Sequence, residues 1–185
     1  NYVVYTQYDK DANFSKDNTF FIADSVLVIS DDKKAGATYL DSTTGDYIID
    51  AYTSHMQARG YSRVANKNEA AYGLQISFVE STYYYTKSPS WWSDYPWYWT
   101  PSYWWPWYNG IWYHPYPFIY SYNAGSIVGE MVDITAITPT TATSKPTIIW
   151  NSYITDIGDI TPKNESKVAN AIGQAFTQSP YLKYQ

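Results

Sequence analysis

"GSIVGEMVDITAITPTTATSKPTIIWNSYITDI", residues 125–157, is the stretch whose reading decides the fold. Its two flanks, 125–137 and 147–157, are rich in β-branched and apolar residues. The stretch between them, "TPTTATSKP", is polar and bounded by proline, as a flexible turn is. The pattern predicts two strands joined as an antiparallel hairpin. Upstream, "YGLQISFVESTYYYT" (72–86) predicts a third, long strand with Leu74, Ile76 and Phe78 on one face. Between this strand and the hairpin lies a segment of very different composition, so the two strands it joins are expected to pair directly once it is set aside.

Working outward, "YVVYTQYD" (2–9) and "TFFIA" (19–23) read as strands, and "VLVIS" (26–30) extends the second or follows a kink. "STTGDYIIDAYTSHMQARGY" reads as a helix: Ile48, Ile49, Tyr52, His55, Met56 and Arg59 fall near one face. Thr43 or Thr44 is the expected cap, Asp46 suits the N-terminal dipole, and Gly60 suits the stop. "YSRVAN" is a short strand. "ESKVANAIGQAFTQS" is a closing helix with Asn164 as N-cap and a buried stripe of Val168, Ile172, Ala175 and Phe176. The order predicts an α+β fold: a mostly antiparallel sheet, two helices on one face, and an aromatic-rich insertion at 87–122 between two strands, all within one domain spanning 1–185.

The insertion is the anomaly. The chain has 9 Trp and 22 Tyr, and all the tryptophans but Trp150 lie between Trp91 and Trp112. Within "YPWYWTPSYWWPWYN" (95–109), Pro96, Pro101 and Pro106 recur every five residues, each followed two residues later by Tyr98, Tyr103 or Tyr108. Five is odd, so in a strand the repeat would change face each time, and each proline removes a ladder donor. Proline also excludes a continuous helix. Extended or polyproline-like turns remain. At roughly 200 Å² per ring, residues 91–122 could bury about 3,400 Å² of aromatic surface, far above what a free monomer leaves exposed. The rings pack on one another, on the sheet, or on a partner. The candidate binding residues are therefore Trp91, Trp92, Trp97, Trp99, Trp104, Trp105, Trp107 and Trp112, with Tyr98, Tyr103 and Tyr108. Flat rings with polar tips suit a glycan, an envelope protein or the headgroup level of a membrane.

Other chemistry is sparse. The net charge is −5 with no basic run, so nucleic acid is not an expected partner. There is no cysteine, which removes disulfides and thiol chemistry. No run of about 18 apolar residues occurs. His55 reads as a structural helix residue and His114 as a stacking or surface residue. Without a metal-ligand spacing, no metal or cofactor is expected. "NFS" at Asn13 reads as an incidental sequon, and the G-x-x-x-G of "GSIVG" lies in a strand, so it is no membrane-helix motif. Glu80 and Glu130 are the only catalytic candidates. A glycosidase would need two such groups facing one sugar, so a glycoside-processing enzyme is the minor alternative and no catalytic residue is assigned.

"QYDKDANFSKDNTFFI" (7–22) resembles the opening of the bacterial lipoprotein family called domain of unknown function 4136, a Y-D, a D/N-F-S and a K-T-F/Y before an apolar strand. Tyr8, Asp9, Asn13, Phe14, Ser15, Thr19 and Phe20 fit, and Asn18 replaces the usual Lys. "MQARGY" resembles the family's L-x-x-x-G-Y helix end, "GSIVGEMVD" its G-T-L-V-I-D-L-V-D strand, and "TIIWNS" its L-V-W-x-G strand, with Ser152 where Gly is usual. The closing helix before Ser179 and Pro180 fits as well. The resemblance implies a lipid anchor on a cysteine just upstream of Asn1, a signal peptide removed, and a place on the bacterial cell envelope, periplasmic or surface-facing. It implies no catalytic residues. Together the readings lead to a non-catalytic envelope domain that binds or docks through an aromatic surface, with a carbohydrate-binding surface lipoprotein as the nearest alternative.

Overall fold

A computed structural model of the chain describes residues 1–29, 38–80, 83–84, 121–134 and 147–185. The strands are β1 (Val3–Tyr8), β2 (Thr19–Ile22), β3 (Leu27–Ile29), β4 (Ser62–Arg63), β5 (Tyr72–Val79), β6 (Tyr83–Tyr84), β7 (Ser121–Tyr122), β8 (Ser126–Asp133) and β9 (Thr147–Thr155). The helices are α1 (Ser42–Ala58) and α2 (Glu165–Thr177). Seven strands form one sheet in the order β1-β9-β8-β5-β2-β4, with β3 also on β5; β6 and β7 pair separately. The fold is α+β.

The pairings β1–β9, β9–β8 and β8–β5 are antiparallel, as the hairpin reading expects. The other half is parallel: β2 and β3 both run alongside β5, and β4 alongside β2. The sheet is thus mixed, where mostly antiparallel pairing was expected. The reason lies in the connection. A chain that leaves β3, crosses through α1 and returns in β5 comes back in the same direction. β2 and β3 lie end to end on β5, so the break at residues 23–26 is the kink.

Strand alternation gives the sheet two faces. One bears Val4, Phe20, Ile22, Tyr72, Leu74, Ile76, Ile127, Met131, Trp150 and Ile154, and both helices pack on it. Trp150 is fully buried; its roughly 200 Å² are worth about 5 kcal/mol before entropy is counted. Its indole N–H donates to Ser179 Oγ (2.9 Å), whose hydroxyl donates to Ala175 O (2.8 Å), so the end of α2 is tied to the sheet.

The helix ends differ in detail from the expectation. Asp41, not Thr43 or Thr44, caps α1: its carboxylate accepts the Thr44 N–H at 3.2 Å and the Thr43 hydroxyl. A charged acceptor outranks a hydroxyl at a positive helix end. Asn164 precedes α2, but its side chain makes no capping bond; its amide donates instead to Asp159 O at 2.6 Å. At the other end, the Y-D and N-F-S motifs form consecutive Asx turns. Asp9, Asn13 and Asp17 each accept the backbone N–H two residues on, at 2.9, 3.0 and 2.9 Å. These turns seat Phe14 against the Tyr181 ring and let Tyr61 donate its hydroxyl to Phe14 O (2.6 Å).

Candidate binding face

The aromatic candidates Trp91, Trp92, Trp97, Tyr98, Trp99, Tyr103, Trp104, Trp105, Trp107, Tyr108 and Trp112 lie outside the described residues, as does His114. What is described is the root from which their segment leaves. Val79 faces Ser126 at the end of β5 and β8; four residues on, Tyr83 faces Tyr122, and then Tyr84 faces Ser121. The register is the same throughout. β5–β6 and β7–β8 are therefore the two arms of one long antiparallel hairpin, broken around Glu80, and residues 85–120 join its far ends. The two strands flanking the segment do pair directly. The segment's C-terminal margin, read as 122, begins two residues earlier as paired strand.

The break bends the hairpin. Gly125, at φ +80°, turns the chain between β7 and β8 and donates its N–H to Val79 O (2.7 Å). The Asn123 N–H donates to the Tyr153 hydroxyl at 3.0 Å. Tyr153 stands on the face of the sheet away from the helices, so the root leans toward that face.

The helix-free face carries the polar residues. The register aligns Gln7, Asn151, Glu130 and Gln75 across β1, β9, β8 and β5 in one row. Glu130 and Gln75 are each 1% exposed and Asn151 3%. Toward the hairpin root, the next row holds Tyr5, Tyr153, Val128 and Ser77, with Tyr5 stacked on Tyr153 at 5.7 Å. Beyond that come Val3, Thr155, Ser126 and Val79. Gln7 Oε1, Gln75 Oε1, Ser77 Oγ, Ser126 Oγ and Thr155 Oγ1 are buried without a hydrogen-bond partner. An unsatisfied buried oxygen costs about 1–3 kcal/mol, and five on one face mark it as more than packing surface.

The two carboxylates are not brought together. Glu130 lies in the buried row, flanked across the strands by amides. Glu80 is exposed past the end of β5, about 17 Å along the strand from Gln75, the residue opposite Glu130. Paired glycosidase carboxyls stand about 5–9.5 Å apart. His55 is half-buried, stacked on Phe176 at 5.0 Å, with its pKa lowered by burial and then by Arg59. No group of three or more metal-ligating side chains occurs among the described residues.

Glu130 shares its strand face with Val128 and Val132, and its cross-strand neighbours were not foreseen from the sequence. The signal was present: Gln75 and Ser77 alternate with Leu74, Ile76 and Phe78 on β5, too polar for a second apolar face.

One further relation comes from the register. Val3 pairs with Thr155, Ile154 with Ile127, and Ser126 with Val79. The first strand therefore starts at the same end of the sheet as the hairpin root, about 14 Å away across three strand spacings. The C-terminal tail lies at the opposite end, where the Tyr184 N–H donates to Arg59 O (2.8 Å).

Fold and face define an α+β domain with one helix-covered and one polar sheet face, and a long central hairpin carrying an aromatic segment. The family model described as "Domain of unknown function (DUF4136)" matches residues 4–181, and the chain belongs to that family. It is similar to the crystal structure of a DUF4136 family protein from Bacteroides thetaiotaomicron VPI-5482, with 42% identity, a TM-score of 0.84, and coverage of 100% of this chain and 99% of that one. A PelC dodecamer structure from Paraburkholderia phytofirmans aligns over 100% of this chain and 99% of that one, at 13% identity and a TM-score of 0.48, a likeness too weak to carry an argument. No curated protein matches.

Proposed function

We propose that this is a non-catalytic domain of the bacterial cell envelope, held at a membrane by lipid on a cysteine upstream of Asn1, that docks through its aromatic segment. The observation that carries the reading is the common end: the start of β1 and the root of the hairpin leave the sheet side by side. A chain tethered through its N-terminus holds that end toward the membrane or whatever lies next to it. No helix among the described residues is long and apolar enough to cross a membrane, so attachment in this reading rests on the lipid and the docking surface. Trp and Tyr suit the role because each offers a flat apolar face and a polar tip at low entropic cost.

The hairpin register supplies the test. Residues 85–120 can be replaced by Asn-Gly, a two-residue turn that fits an antiparallel pair. The shortened protein is expected to keep its denaturant midpoint and to lose retention on isolated bacterial envelopes. Equal retention of both proteins contradicts docking through the segment. Radiolabelled palmitate fed to cells making the natural precursor tests the anchor; an unlabelled protein contradicts it.

A further inference from the structure

The two edges of the seven-stranded sheet are unlike. β4 forms one: it is two residues long and carries Arg63, whose guanidinium is held by Asp24 (2.9 Å) and Ile22 O (3.3 Å). β1 forms the other with six residues, "VVYTQY", that include no charge, proline or glycine. Natural sheets guard a long edge with charge, proline, a bulge or a covering element, because bare amides invite another strand. The register shows which amides are bare. The Asp9 N–H donates to Ile149 O (2.9 Å) and Gln7 pairs with Asn151, so the odd-numbered residues of β1 bond to β9. The N–H and C=O groups of Val4, Thr6 and Tyr8 therefore point outward. Among the described residues, no strand lies on that side of β1. Val3, 39% exposed, and Tyr5, 50% exposed, add apolar surface to the same strand.

The edge complements itself. "YVVYTQY" (2–8) places its tyrosines symmetrically about Tyr5. Two such strands, antiparallel and centred on Tyr5, set Tyr2 against Tyr8, Val3 against Gln7 and Val4 against Thr6, with no like charges opposed. Even-numbered residues then meet even-numbered ones, so the bare amides of Val4 and Thr6 in each copy face those of the other and exchange both bonds. Tyr5 meets its own copy in the closer, non-hydrogen-bonded pairing on the helix-free side, where rings reach each other across strands. A slip by one residue would set bare amides against groups already bonded to β9. We infer that a second copy of this chain pairs on β1 in this register, a contact of one patch with itself that closes as a dimer about a twofold axis. The inference stands apart from docking through the aromatic segment: the two β1 strands begin about 13 Å apart along the strand, each beside its own hairpin root.

Sedimentation velocity of the 1–185 chain at rising concentration tests this, and the mass is expected to approach that of two chains. Thr6→Pro removes an outward N–H that the β1–β9 ladder does not use. It is expected to weaken the dimer by about tenfold or more while the monomer keeps its circular dichroism. The register has its own test, since the chain has no cysteine. Tyr5→Cys brings two thiols together across the axis, with Cα atoms about 4.5 Å apart and within disulfide reach. Val3→Cys leaves them about 13 Å apart along the strand. Under copper–phenanthroline oxidation Tyr5→Cys is expected to cross-link and Val3→Cys to stay single. Equal cross-linking of both variants, or a dimer that Thr6→Pro leaves as tight, overturns the pairing. A monomer at every concentration overturns it too, and amide exchange then says what the edge meets. Protected Val4 and Thr6 amides assign it to another part of the same chain; fast-exchanging ones leave it open to a strand of a different protein.

Discussion

Gly129 has no room for a methyl group. A Cβ there would lie 2.7 Å from Ser152 Oγ and 2.8 Å from the Tyr52 ring. Tyr52 is fully buried, its hydroxyl shares a 2.9 Å hydrogen bond with Ser152 Oγ, and burial pushes its pKa up. Ser152 thus supplies the partner that a buried tyrosine hydroxyl needs. Gly129→Ala is expected to lower unfolding stability by about 1–3 kcal/mol in urea titration, because both neighbours are held in place. The G-x-x-x-G spelling was legible in the sequence, but its meaning was not: Gly125 serves a bend and Gly129 a close approach from a helix 77 residues earlier in the chain. His55 gives a pH dependence. Its folded-state pKa is below the ordinary 6.5, so the unfolded chain takes up the proton first. The stability it contributes is present above pH 6.5 and is lost as pH falls from there through the folded value. His55→Phe, which keeps a ring against Phe176, is expected to flatten that part of the stability–pH curve; an identical acid slope in both proteins contradicts the assignment.

At the scale of elements, the two helices are locked to each other at one end. Arg59 Nη1 donates to Ser179 O (2.8 Å) and Leu182 O (2.9 Å), and its Nη2 donates to Phe176 O. A cation on the last carbonyls of a helix is favoured by the dipole as well as by the bonds. Arg59→Met keeps much of the stem but leaves those carbonyls without the donor, and is expected to cost about 2–3 kcal/mol, read from the denaturant midpoint. The elements themselves were legible: apolar period and turn residues located both helices and the main strands to within a few residues. Direction was not, for β2 and β3. Their pairing to β5 depends on a contact made across α1, although the strand–helix–strand order already contained the clue. The break in the long strand at 72–86 was also invisible, since "VESTYYYT" keeps its β propensity through the bend and only Gly125 on the partner strand marks it.

The whole molecule has two unlike ends. One is closed by Asx turns, the Lys16–Asp133 ion pair, the Arg59 clamp and the C-terminal tail. The other releases the start of β1 and the root of the hairpin, and its described exposed side chains are mostly acidic. The family model matches residues 4–181, and the motifs that carry the resemblance belong chiefly to the closed end and the helix-side core: Phe14, Tyr61, Trp150 and Ser179 are all buried there. The anomaly of composition belongs to the other end, where no pairing rule converts sequence into geometry. The central claim is that this end presents aromatic rings to a partner. Acrylamide quenching of the native protein's tryptophan fluorescence tests it most directly, since Trp150 is fully buried and every other tryptophan reports on the segment. Docking predicts red-shifted emission that is strongly quenched, with only a small protected fraction from Trp150. Blue-shifted, weakly quenched emission would contradict it and make the segment a second core.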